Sequence, residues 1–112
     1  MKYIENEGIE YIIGENANDN WDVLKSSKQS WIWFHLDKLS SPYVILSLSL
    51  SKLKKSHNNW KDCIRYAALL CKENSKYTKQ TVNVTWTTCK NVSFGSKPGE
   101  AIITGKTHIV MC

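Results

Sequence analysis

Apolar and polar positions alternate through Tyr43–Leu50. Val44, Leu46, Leu48 and Leu50 fall on one side; Tyr43, Ile45, Ser47 and Ser49 fall on the other. A period of two is the mark of a strand, and four aliphatic residues on one side suit burial against a helix. The preceding run, Trp31–Leu36, alternates as well, but with large residues on both sides. Ile32, Phe34 and Leu36 belong with the aliphatic face of the neighbouring strand. Trp33 and His35 then share the opposite face, about 6.5–7 Å apart along the strand. Lys38–Pro42 is the turn between the two strands.

The rest of the chain supplies the covering layers. Lys2–Glu5 and Gly8–Ile13 form a predicted hairpin around Asn6-Glu7-Gly8. Asn16 is placed to cap a short helix over Ala17–Leu24, with Asp19 and Asp22 in the early turns, where negative charge is favoured. Lys25–Ser30 is a loop, and Lys52–His57 a basic connector. Asn58 or Asn59 caps the main helix, which runs to about Asn74. Its apolar stripe is Trp60, Cys63, Ile64, Ala67, Leu70 and Cys71, at helical spacing. Three strand-like pieces follow, Gln80–Trp86, Ala101–Thr104 and Lys106–Met111, with Gly105 as a turn between the last two. Thr87–Glu100 between them is a polar, basic loop. The expected fold is α+β: a mainly antiparallel sheet with one long helix and one short N-terminal helix packed on it, as a single domain over residues 1–112.

Charge is unevenly spread. The 112 residues carry a net +5, but residues 1–22 hold one lysine against six acids, a net −5. Residues 23–112 hold fourteen basic residues against four acids, a net +10. The basic part attracts polyanions, with an attraction that weakens in salt. Fourteen of the fifteen basic residues are lysine, so the bidentate arginine contacts that read guanine are nearly unavailable. That argues against a sequence-specific duplex reader. No apolar run approaches the ~20 residues that cross a bilayer, and the N-terminal residues lack the apolar stretch of a signal peptide. The expected location is cytoplasmic, with no membrane partner. Of the four cysteines, Cys63, Cys71, Cys89 and Cys112, none forms a C-x-x-C pair, so no zinc site is expected, and without a secretory signal no disulfide is expected. Cys63 and Cys71 fall on the buried helix face.

The candidate chemistry lies beside Trp33. An indole and an imidazole, followed by Asp37, Lys38, Ser40 and Ser41 in the turn, offer a stacking surface with hydrogen-bonding groups around it. Stacking contributes roughly 1–3 kcal/mol per base, and lysine can hold the phosphate. The alternative is that Trp33 fills a second small core and His35 bonds a backbone carbonyl. Catalysis lacks support in the pattern: there is no nucleophile signature, P-loop, G-x-G-x-x-G or H-E-x-x-H. Asp37 could orient His35, but no second carboxylate or metal cluster accompanies the pair. The expectation is a binding module with no cofactor and no metal.

The run from Trp31 to Leu46 resembles the central signature of the NFACT-R family, in which an apolar residue, Trp, an apolar residue and His precede a polar turn and an apolar strand. It is most similar to stand-alone members that carry "WFHVDKLSS". Gly14-Glu15-Asn16-Ala17-Asn18-Asp19-Asn20 resembles the family's Gly-x-Asn-Ala-x-x-Asn segment. Val82–Thr87, then Lys90-Asn91-Val92 and Lys97-Pro98-Gly99, resemble its later strand, basic loop and Lys-Pro-Gly turn. The resemblance covers roughly Tyr11 to Val110. It implies RNA binding, with rRNA, tRNA or a ribosomal subunit as partner and a link to ribosome-associated quality control. DNA is the alternative nucleic acid, since some animal relatives bind it. A protein-binding adaptor using the same aromatic face is the alternative of another class. The residues carried over by position are Asn16, Asn20, Trp33, His35, Asp37, Ser40, Ser41, Lys90, Lys97 and Gly99. Lys38 joins them from the turn. The family's second His is Tyr43 here, which can stack and donate a hydrogen bond but cannot become cationic near neutral pH. Lys90 and Lys97 are expected to hold phosphates; Trp33, His35 and Tyr43 are expected to line the contact surface.

Overall fold

The computed structural model describes residues 1–112. The first strands, β1 (Lys2–Asn6) and β2 (Ile9–Ile13), form the expected hairpin. Its turn residues Glu7 and Gly8 both have positive φ, 54° and 78°, as a two-residue turn matched to the strand twist requires. Helix α1 (Ala17–Ser26) starts where Asn16 accepts a hydrogen bond from the Asp19 N–H at 2.9 Å. Strands β3 (Trp31–Leu36) and β4 (Val44–Ser49) follow as the central antiparallel pair.

The next segment departs from the sequence reading. Residues expected to be a connector form helix α2 (Leu50–Ser56), separate from the longer α3 (Trp60–Glu73). Ser49 caps α2 by accepting from the Lys52 N–H at 3.2 Å. The alternation L-S-L-S-L continues into Leu50, which hides the change from strand to helix. On α3 the expected stripe is buried at Cys63, Ile64, Ala67 and Cys71; Trp60 and Leu70 are only half-buried.

Strand β5 (Asn83–Thr88) runs beside β3 and ends in a single 3₁₀ turn, Cys89–Asn91. The polar loop of the sequence reading contains a further strand, β6 (Val92–Phe94), which pairs with β7 (Ala101–Ile103). The last strand, β8 (His108–Met111), pairs with β5. So β7 and β8 are not a hairpin: Gly105, at φ 82°, turns the chain from one sheet to the other. The main sheet has six strands in the order β1-β2-β4-β3-β5-β8, and all its pairings are antiparallel.

Both faces of this sheet are covered. One carries the larger core of 17 buried residues, in which Ile32, Phe34, Leu36, Val44 and Leu46 meet α2 and α3. The other carries a core of eight, in which Trp33, Tyr43 and Ile45 meet Val23 and Leu24 of α1 together with Cys89 and Val92. The alternation in β3 and β4 thus assigns each side chain to the correct face.

Candidate nucleic-acid interface

Where β3 ends, four separate segments converge on one open cleft of about 710 Å³. The start of α1 supplies Gly14, Asn16 and Ala17, and the turn after β3 supplies Ser40, Ser41 and Pro42. The end of α3 supplies Asn74, Ser75 and Lys76, and the β6–β7 loop supplies Pro98 and Gly99. Lys2 closes one side, and His35 lies among them.

Backbone approach sets this geometry. A Cβ on Gly14 would lie 2.0 Å from Asn20 Oδ1, and Gly14 donates its N–H to the Tyr43 carbonyl at 3.0 Å. Asn20 is buried and ties α1 to the strands. Its Oδ1 accepts from the Tyr43 N–H at 2.9 Å, and its amide donates to the Ser41 carbonyl at 3.4 Å. Ser41 Oγ accepts from the Leu36 N–H at 3.0 Å, which closes the turn. Gly99 has φ 84° and packs so closely on α1 that a Cβ would sit 3.0 Å from that of Ala17. The Tyr43 hydroxyl donates to the Gly99 carbonyl at 2.7 Å, and the Trp21 indole donates to the Glu100 carbonyl at 3.0 Å. These bonds hold the Lys-Pro-Gly turn against the mouth of the cleft.

The aromatic face differs from the sequence expectation. Trp33 and His35 do lie parallel on the same side, with ring centroids 5.6 Å apart and planes 1° apart, and Tyr43 meets both edge-on. Trp33 and Tyr43 are fully buried in the smaller core, however. Neither can offer a stacking surface, because α1 and the β6–β7 hairpin cover them. Burial pushes the Tyr43 hydroxyl up to about 12. An adaptor that used this aromatic face would find it covered as well. His35 alone of the three reaches the cleft.

His35 is held as a neutral acceptor. Its Nδ1 lies 2.7 Å from the Leu36 carbonyl oxygen. A carbonyl only accepts, so Nδ1 carries the proton and Nε2 keeps its lone pair. Burial lowers the imidazole below its ordinary pKa, against the smaller opposing pull of the Leu36 carbonyl. Asp37 does not orient this ring: its carboxylate accepts from the Thr85 hydroxyl at 3.3 Å and its N–H donates to the Asn83 carbonyl.

The candidate lysines divide. Lys38 is exposed on the turn, with φ 60°, and Lys97 is exposed next to Pro98. Lys90 lies elsewhere: its N–H bonds the Gln29 carbonyl at 2.9 Å, just before the opposite end of β3, and that end, Trp31, is already about 13 Å from His35 by the strand rise. Lys2 and Lys76, which the sequence reading did not single out, line the cleft instead. Lys2 Nζ donates to Asn74 Oδ1 at 2.7 Å and so joins β1 to the end of α3. No local pattern marks either lysine: Lys2 is tied to the cleft by its long-range bond to Asn74, and Lys76 lines it just past the end of α3. Glu15, which lines the cleft, and Asp19 pair with the Met1 ammonium at 2.8 and 2.7 Å. Ser40 is exposed on the wall of the cleft, and Asn16 is engaged as the α1 cap.

The model of the NFACT protein RNA binding domain matches residues 1–110. The chain belongs to the NFACT RNA-binding domain family. Membership implies RNA binding, and the segments that carry the family pattern around Gly14, His35, Ser41 and Gly99 are those that meet at the cleft. Among solved structures, the fold is similar to the C-terminal part of the fibronectin/fibrinogen-binding protein from Streptococcus suis. The TM-score is 0.76 at 24% identity, over 96% of this chain and 43% of that one. This NFACT domain thus spans less than half of that structure, and at such identity the likeness shows a shared fold. No curated protein sequence matches the chain. No helix is long and apolar enough to cross a membrane.

Proposed function

We propose that this NFACT domain holds structured RNA, such as tRNA or rRNA, in the cleft at the end of β3, and that it acts there by binding and not by catalysis. The observation that carries the reading is the convergence of α1, the β3–β4 turn, the end of α3 and the Lys-Pro-Gly turn on one polar cleft. Lys2 and Lys76 line it, with Lys38 and Lys97 on the adjoining turns, and these suit phosphates. The neutral Nε2 of His35 suits a ribose 2′-hydroxyl, the group that separates RNA from DNA. The family resemblance extends the proposal to stalled ribosomal subunits, and co-sedimentation with ribosomal subunits checks it.

The direct test is a mobility shift with tRNA, an RNA duplex and a DNA duplex over a salt series. Binding should favour tRNA and fall steeply as salt rises. Lys97→Ala should weaken it and reduce the salt slope by about one, whereas Lys90→Ala should have the smaller effect. No binding to tRNA at low salt would sink the reading.

A further inference from the structure

The aromatic surface expected at Trp33 has a counterpart elsewhere. A groove of about 290 Å³ runs between the first turns of α3 and the edge strand β8. Trp60 and Ile64 lie one turn apart on its helix side, and Lys61 and Arg65 form a second row one turn apart. On the strand side His108 stacks on Trp86, with ring centroids 4.1 Å apart and planes 20° apart. His108 and Trp86 are direct partners across the β5–β8 ladder, and both line the groove. Trp60 is half-buried and has Lys54 and Lys61 at 4.7 and 5.6 Å from its ring centroid. None of these cations is paired with a carboxylate; the ion pairs of the chain are both made by the Met1 ammonium. No residue of this groove lines the cleft.

We propose that the groove is a second nucleic-acid site, which stacks an unpaired nucleobase of single-stranded RNA against Trp60 and His108 while Lys54, Lys61 and Arg65 hold the flanking phosphates. The charge and the aromatic rings favour this occupant together. A peptide adding to the β8 edge would use the backbone and Ile109 but leave the three cations unmatched. A base stacked on an indole binds more strongly than a solvated ammonium lying over the same ring. The base therefore displaces Lys54 and Lys61 from the ring, and their ammonium groups move to the phosphates on either side. Every base has a stacking face, so recognition here is tolerant of sequence.

The test is titration of the full chain with a short oligouridine RNA at low salt, followed by tryptophan fluorescence and by anisotropy of a labelled strand. Binding should quench the indole emission. Trp60→Leu should remove most of that quench and weaken binding between about fivefold and a hundredfold. Lys54→Ala with Lys61→Ala, both exposed, should leave the fold intact and reduce the single-strand salt slope by about 1.4. Lys97→Ala, on the turn beside the cleft, should leave oligouridine binding unchanged, which separates this site from the first. Loss of tRNA binding with oligouridine binding retained overturns the cleft reading alone. Absence of quench at low salt, or an unchanged salt slope in the double lysine variant, overturns this proposal. Self-association abolished by Ile109→Lys would overturn it too, by assigning the groove to a second copy of the chain.

Discussion

His35 separates two jobs that the neighbouring aromatics cannot share. Trp33 and Tyr43 are committed to packing, and Tyr43 also to holding Gly99. His35 lies at the boundary, with Nδ1 spent on the Leu36 carbonyl and the ring at the wall of the cleft. Its setting makes stability depend on pH. Burial lowers the folded-state pKa below the unfolded value of about 6.5. Just below that pH the unfolded chain takes up a proton that the folded chain does not. The contribution of this residue is thus complete above about pH 6.5 and is lost as pH falls through the folded pKa. Thermal unfolding should show a larger drop in Tm between about pH 7.5 and about pH 5.5 for the native chain than for His35→Gln. Equal drops in the two would show that His35 titrates alike in both states.

At the scale of elements, legibility followed the period and length of each pattern. The alternation in β3 and β4 displays both faces of the sheet because each strand offers six residues to read. The β1–β2 turn and the Asn16 cap were legible because their chemistry is local. Helix α2 was not, because its seven residues bury only Leu53 and follow an unbroken alternation. The β6–β7 pair was hidden because each strand has three residues, too few to show a period. The site divides on the same line. Asn16, His35, Ser41 and Gly99 were legible as short motifs, but the burial of Trp33 depends on what α1 covers, and Lys2 and Lys76 line one cleft only once the fold brings β1 to the end of α3. Helix α2 allows a sharp test of the missed element. Leu53 is fully buried in the larger core, so Leu53→Ala should cost 2–5 kcal/mol, about the range for a buried leucine. Lys52→Ala, one residue earlier and exposed, should stay within about 0.5 kcal/mol. Urea denaturation measures both. A small loss at Leu53 would mean that α2 is held by its Ser49 cap and by Leu50 rather than by its buried leucine.

Across the whole molecule, α3 links the two sites. Its first turns, at Trp60–Arg65, form one wall of the groove, and the residues just past its end, Asn74–Lys76, line the cleft. The fourteen residues from Trp60 to Glu73 set these about 20 Å apart along the helix axis. A ligand that engages both must therefore have a folded part for the cleft and an unpaired strand long enough to run the length of α3. Once the folded part is held, the strand binds at the effective concentration set by its tether. An RNA hairpin with a single-stranded overhang should then bind more tightly than either the blunt hairpin or the free strand. Affinity should rise abruptly at the overhang length that first spans α3, then decline slowly as the tether lengthens. Trp60→Leu should abolish the gain from the overhang and leave the blunt hairpin unaffected. Lys97→Ala should weaken the hairpin with and without its overhang. An overhang series that raises affinity gradually, with no threshold length, would place the two contacts on separate RNA molecules.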